Sequence, residues 1–178
     1  FWGYYRDDEL VNYKEKQCKF CGIGLSMKRD ELYRKSTEDI LEVVTAAVEG
    51  GDVKHIGINA GTMAPPGRGH EEYAELVSAI KRRHDVWVRL SICPPEDEKY
   101  IDILYDAGAD QIGYDIEVYD PERYRYICPG KLDEVDRGIP HQHFFRMLAY
   151  AAKYGGPNKA YSILVTGLES RETTAQGI

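Results

Sequence analysis

The sequence is short of cysteine, of long apolar runs and of surplus positive charge, and each shortage closes off a class of function. Only four cysteines stand among 178 residues: Cys18, Cys21, Cys93 and Cys128. That is too sparse for a disulfide-stapled scaffold, and no secretory pattern opens the chain, whose first residues are aromatic and acidic. The thiols are therefore expected to be reduced or metal-bound, in a cytoplasmic setting. No apolar stretch approaches the roughly 20 residues of a membrane-spanning helix, so no membrane partner is expected. Acidic residues outnumber basic ones 30 to 23, a net charge of −7. A nucleic-acid partner is not expected either, because it calls for a basic patch or stripe. The clusters Lys28-Arg29 and Lys81-Arg82-Arg83 are short and flanked by acids, and read as solvated helix faces.

What is present suits one domain with a real core: 43% apolar and 30% charged residues. The chain starts at Phe1 rather than Met and stops at Ile178, soon after a strand-like run. Residues 1–178 are expected to be a single domain, incomplete at both ends.

Residues 1–35 carry no clean period and read as a long loop. A regular alternation follows. Ser36 is a good N-cap, and Ile40, Leu41, Val43, Val44, Ala47 and Val48 recur at helical spacing until Gly50-Gly51. Strands are expected over 53–59, 86–92, 111–117 and 161–166, with helices over 71–83, 96–107 and 140–154. An irregular excursion spans 120–139. Helix and strand alternating in this way argue for βα units in a parallel sheet with right-handed crossovers.

An open doubly wound sheet and a β/α barrel both satisfy that pattern. Strand parity favours the barrel. Val86, Val88, Leu90 and Ile92 share one face, while Trp87, Arg89, Ser91 and Cys93 share the other. Gly113, Asp115 and Glu117 likewise stand opposite Ile112 and Ile116. A strand covered by helices on both sides should be apolar on both. Polar side chains climbing one face suit a lumen that opens into a site at the C-terminal strand ends.

The chemistry-bearing segment runs from Gln17 to Gly24, with Cys18-Lys-Phe-Cys21 inside it. A C-x-x-C pair in a loop has several readings: half a zinc site, a redox pair, two ligands of an iron–sulfur cluster, or plain structural thiols. A second short-spaced pair for zinc is missing, since Cys93 and Cys128 lie 35 residues apart. Spacing alone leaves all four open.

Cys18, Phe20 and Cys21 match the second half of the motif C-x3-C-x2-C with an aromatic before its last cysteine. Gly57-Ile-Asn-Ala-Gly-Thr62 closes the next strand, Asp115-Ile-Glu117 ends a later one, and Ile163 to Leu168 forms a further strand and turn. On these residues, from about 18 to 172, the chain resembles the radical S-adenosylmethionine (SAM) superfamily, specifically its biotin-synthase-like branch. Two departures stand out. Lys14 occupies the place of the first cysteine, and residues 1–17 contain none. The chain thus resembles a group with widened spacing before the last two cluster cysteines, and the third ligand is expected upstream of Phe1. Ser170 stands where the family's last motif has an acid, with Glu169 adjacent but out of register.

The resemblance implies an α/β fold, a partial parallel (β/α) barrel with 1–35 as cluster-binding loop and 36–178 as successive βα units. It implies a [4Fe–4S] cluster with Cys18 and Cys21 as ligands, and SAM as its cofactor. It places Phe20 beside the adenine, Gly61 and Thr62 at the methionine end, and Glu117 at the SAM ammonium or ribose. Arg89 and Ser91 would contact the SAM carboxylate or substrate. The implied activity is reductive cleavage of SAM and hydrogen abstraction from a small-molecule substrate in cofactor or metabolite biosynthesis. An electron donor such as ferredoxin or flavodoxin follows. Competing readings are a zinc-binding interaction domain and a non-radical barrel lyase. Residue by residue, Glu117 could instead be a buried acid paired with Arg89, and Cys93 and Cys128 inert buried thiols. His141 and His143, at a helix start, are weak candidates for metal.

Overall fold

A computed structural model describes residues 4–6, 9–11, 18–22, 35–61, 63–132 and 139–178. A short antiparallel pair comes first, β1 (Tyr4–Arg6) with β2 (Glu9–Val11). It lies inside the stretch expected to be all loop.

Four parallel strands follow, in the spatial order of the chain: β3 (His55–Asn59), β4 (Trp87–Ile92), β5 (Gln111–Tyr114) and β6 (Ala160–Tyr161). Between and around them run α1 (Thr37–Gly50), α2 (His70–Arg83), α3 (Lys99–Asp106), α4 (Pro121–Ile127), α5 (His141–Gly155) and α6 (Arg171–Gln176). A 3₁₀ turn, Pro129–Leu132, follows α4. Strand order never reverses, and α1 packs on α2, α2 on α3 and α3 on α5. Sequential order with successive helices packed on one another is the winding of a barrel wall, since a doubly wound sheet reverses its order midway.

Local chemistry sets these elements. Ser36 and Asp39 form a capping box at α1: the Asp39 N–H donates to Ser36 Oγ at 3.1 Å, and the Ser36 N–H to Asp39 Oδ2 at 3.1 Å. Gly108 ends the turn after α3 at φ 101°, a left-handed conformation costly for a residue with Cβ. Asp120 caps α4 through the Arg123 N–H at 2.7 Å, ahead of Pro121.

The strand parity holds. Val88, Leu90 and Ile92 are buried beneath the helices with Val77, Ile80, Ile101 and Leu104. Trp87, Arg89 and Ser91, on the opposite face, are not. The last two strands are shorter than expected. After Tyr114 the ladder is interrupted because the Ile116 N–H donates to the Ser162 hydroxyl at 3.0 Å instead of a backbone carbonyl. It resumes as an isolated bridge at Glu117 and Leu164. The irregular excursion expected over 120–139 contains a full helix, α4.

Candidate functional site

The C-terminal strand ends open into a cavity of about 540 Å³, a size that holds a cofactor-sized molecule. Cys18 and Cys21 reach it from one tight turn, closed by the Cys21 N–H on the Cys18 carbonyl at 3.0 Å. The Lys19 N–H ties that turn to the end of α4, donating to the Ile127 carbonyl at 2.9 Å. Phe20, Gly61, Ser91 and Glu117 also line the cavity. Thr62 lies outside the described residues. Arg89 is not among the lining residues: it sits one lumen-facing position below Ser91, its guanidinium 5.7 Å from the centre of the Tyr161 ring.

Glu117 does not pair with Arg89. Its partner is Lys131, whose ammonium donates to Glu117 Oε1 at 3.2 Å and to the Asp115 carbonyl at 3.1 Å. Lys131 is 5% exposed, and its ammonium lies 5.0 Å from the centre of the Phe144 ring. Burial disfavours this cation, but Glu117 and the Cys93, Cys18 and Cys128 thiols outweigh it and hold the ammonium above its ordinary range. Burial pushes the Glu117 carboxyl up, with Lys131 drawing it part of the way back.

Asp115 stands beside them. Its Oδ2 accepts a hydrogen bond from the Ser91 hydroxyl. Its Oδ1 is buried without a hydrogen-bond partner. Burial raises this carboxyl too, against the Ser91 bond. An unsatisfied buried acceptor on a cavity wall is costly in isolation and suits a donor or cation brought by a ligand.

Glu117 has a positive φ of 69°. The Val118 N–H donates back across it to the Ile116 carbonyl at 2.8 Å, which makes Glu117 the centre of the strained, positive-φ form of γ-turn. Such a conformation costs about 1–3 kcal/mol in a residue with a side chain and concentrates at functional sites.

The thiols divide into two kinds. Cys93 lines the cavity from the end of β4, on the face expected for it. Cys128 is buried behind Cys18 and hydrogen-bonded to it. That bond is the largest cause lowering the Cys18 thiol to about 7, with burial opposing and Lys131 assisting. The same contact, with burial, drives the Cys128 thiol upward. His141 and His143 spend Nε2 on the Val118 and Pro95 carbonyls, at 2.9 and 2.6 Å.

An iron–sulfur cluster fits this donor set. Two thiols from one turn face a cavity that also holds an orphaned carboxylate oxygen and a buried ammonium. Sequence reading missed Lys131, which carries no local signal, read Cys128 as an inert buried thiol without its contact to Cys18, and left Asp115 unassigned although parity put it on the face of Glu117.

Comparison with known proteins bears on what this cavity is for. The sequence matches the family described as Radical SAM superfamily over residues 15–176. It is similar to bacteriochlorophyllide c C-7(1)-hydroxylase of Chlorobaculum limnaeum, with 24% identity over 190 residues, 94% of this chain and 45% of that protein. The fold is similar to methylornithine synthase (PylB), at TM-score 0.65 and 19% identity over 90% of this chain and 44% of that one. It is also similar to the FeFe-hydrogenase maturase HydG from Carboxydothermus hydrogenoformans, at 0.61 and 22% over 77% and 30%. The chain spans less than half the length of each of these relatives. The four-stranded parallel sheet is the wall of the same partial barrel.

Proposed function

The chain belongs to the radical SAM superfamily, and on that premise we propose that it carries the cluster- and SAM-binding part of an enzyme acting on a small molecule. The family match reaches the superfamily and no finer branch. The observation that carries the reading is the convergence of Cys18 and Cys21 with Gly61, Ser91, Asp115 and Glu117 on one cavity.

Cys18 and Cys21 supply two thiolates, and the third comes from outside the described residues. When bound, the cluster and SAM supply reductive cleavage of a sulfonium C–S bond and hydrogen abstraction from substrate. The protein's own part is to bind, orient and shield. Asp115 and Glu117 line the cavity with carboxylates that would attract the cationic ammonium and sulfonium of SAM, since attraction is strong in a poorly solvated pocket. Gly61 leaves its backbone open to close approach. Ser91 holds Asp115, and Lys131 offsets the charge of the thiolates. Phe20, Phe144 and Ile163 give the cavity apolar walls, which keep water from the reacting atoms. Arg89, lower on the lumen face, does not line this cavity and is given no SAM contact.

The substrate is a small molecule of cofactor or metabolite biosynthesis, and the electron comes from a donor of the ferredoxin or flavodoxin class in the cytoplasm. Among the described residues no helix is long and apolar enough to cross a membrane. The zinc reading has less support, because the family matched over residues 15–176 is a radical SAM one.

The test is anaerobic reconstitution of the full-length protein with iron and sulfide. A brown protein that turns SAM into 5′-deoxyadenosine on reduction is expected, with both properties lost in Cys21→Ala. A colourless protein carrying one zinc would overturn the reading.

A further inference from the structure

Glu169 lies outside the cavity wall, yet it grips the segment that enters it. Its Oε1 accepts the Tyr119 N–H at 3.0 Å and its Oε2 accepts the Asp120 N–H at 2.8 Å. Thr174 Oγ1 donates to Oε1 at 3.4 Å and steadies the carboxylate. These two amides begin two residues after Glu117, the centre of the positive-φ turn. On the upstream side residues 163–165, beyond β6, hold the same turn through their backbone. The Glu117 N–H donates to the Ile163 carbonyl at 2.9 Å, and the Val165 N–H to the Glu117 carbonyl at 2.8 Å.

The turn is thus pinned on both flanks by one segment, residues 163–169. A strained residue persists only where its surroundings over-determine it. Downstream, Asp120 caps α4, whose end leads through Cys128 to Lys131. One carboxylate therefore fixes the origin of both members of the Glu117–Lys131 pair. Charged acceptors on backbone N–H groups make the stronger class of hydrogen bond.

We propose that Glu169 is a positioning residue: it clamps the Tyr119 and Asp120 amides, holds the reversed turn at Glu117 and so aims the Glu117 carboxylate at the SAM site. This rests on the reading of Glu117 as a SAM contact. It gives Glu169 a function although it stands one residue out of register with the family's acid.

The experiment compares Glu169→Ala and Glu169→Gln with the parent, each full-length and cluster-loaded. It reads amide hydrogen exchange over residues 117–124 and SAM affinity by equilibrium dialysis. Loss of both charged acceptors in Glu169→Ala is expected to speed exchange in 117–124 and weaken SAM binding, each by about tenfold. Exchange over 86–92 is expected to stay as in the parent. Glu169→Gln keeps one acceptor and is expected to fall between, so it carries the test if Glu169→Ala fails to fold. Unchanged exchange over 117–124 would overturn the clamp. Faster exchange with parental SAM affinity, while Glu117→Gln binds SAM poorly, would overturn the positioning role. Parental affinity in both Glu117→Gln and Glu169→Ala would instead sink the reading of Glu117 as a SAM contact, and the proposal with it.

Discussion

Lys131 and Glu117 form an ion pair 3.2 Å apart on the cavity wall, with side chains only 6% and 17% exposed. Glu117 helps keep the Lys131 ammonium charged against burial, while Lys131 draws the Glu117 carboxyl only part of the way back from the rise burial causes.

Removing the cation alone strands a buried carboxylate. Lys131→Met is expected to cost about 3 kcal/mol of stability, the scale of breaking a mostly buried pair. Adding Glu117→Gln should recover much of that loss, since the two residues are directly coupled. Denaturant unfolding of the two single variants and the double variant checks both statements.

His70 governs the acid limb of stability. It is fully buried, with Nε2 bonded to the Tyr114 hydroxyl at 2.9 Å. Burial first, then the Arg68 charge, draws its pKa down from 6.5 to about 3, against the Gly67 backbone bond. A base with a depressed folded pKa takes up protons more readily when unfolded. Its contribution is complete above pH 6.5 and is lost as pH falls from 6.5 towards 3, a span worth roughly 3–5 kcal/mol. Asp115 and Glu117, both raised, act in the opposite sense: they cost stability as pH rises above their unfolded values. Unfolding free energy measured against pH should therefore fall less steeply below pH 6.5 in His70→Gln than in the parent.

Gly113 allows β5 and β6 to meet. A Cβ there would collide with the Tyr161 ring, which is held by its hydroxyl on the Leu90 carbonyl at 3.0 Å. Gly113→Ala is expected to destabilise by about 1–3 kcal/mol through overpacking. Tyr161→Ala in the same chain should relieve part of that cost, giving a double-mutant cycle with a favourable coupling. Thermal unfolding of the four proteins measures it.

Cys128 is buried and hydrogen-bonded to Cys18, and the role expected for it is to support that thiolate, not to act as a further ligand. Cys128→Ala is expected to keep parental iron after reconstitution, while Cys21→Ala loses it. Hydrogen bonds to ligand sulfur raise a cluster's reduction potential, so the Cys128→Ala cluster should be harder to reduce than the parent's in a redox titration. Parental potential would refute the role assigned to Cys128.

Much of this molecule was determined by the sequence alone. Helical spacing in 40–48, the Ser36 cap, and the parity of 86–92 with 113–117 are local patterns, and burial of a regular element enforces them wherever it packs. They suffice for the alternating architecture, for the polar lumen face and for a thiol pair ahead of the first βα unit. Only tertiary structure decided which of these groups meet. Lys131 follows Glu117 by fourteen residues and pairs with it because α4, absent from the sequence reading, folds the chain back over the strand end. Arg89 has the right parity but sits one step too low on its strand to reach the cavity. The Glu117 turn depends on Ser162 replacing a backbone acceptor and on Glu169 holding two amides about fifty residues away. Such contacts depend on path and register between distant segments, and no local periodicity carries that information.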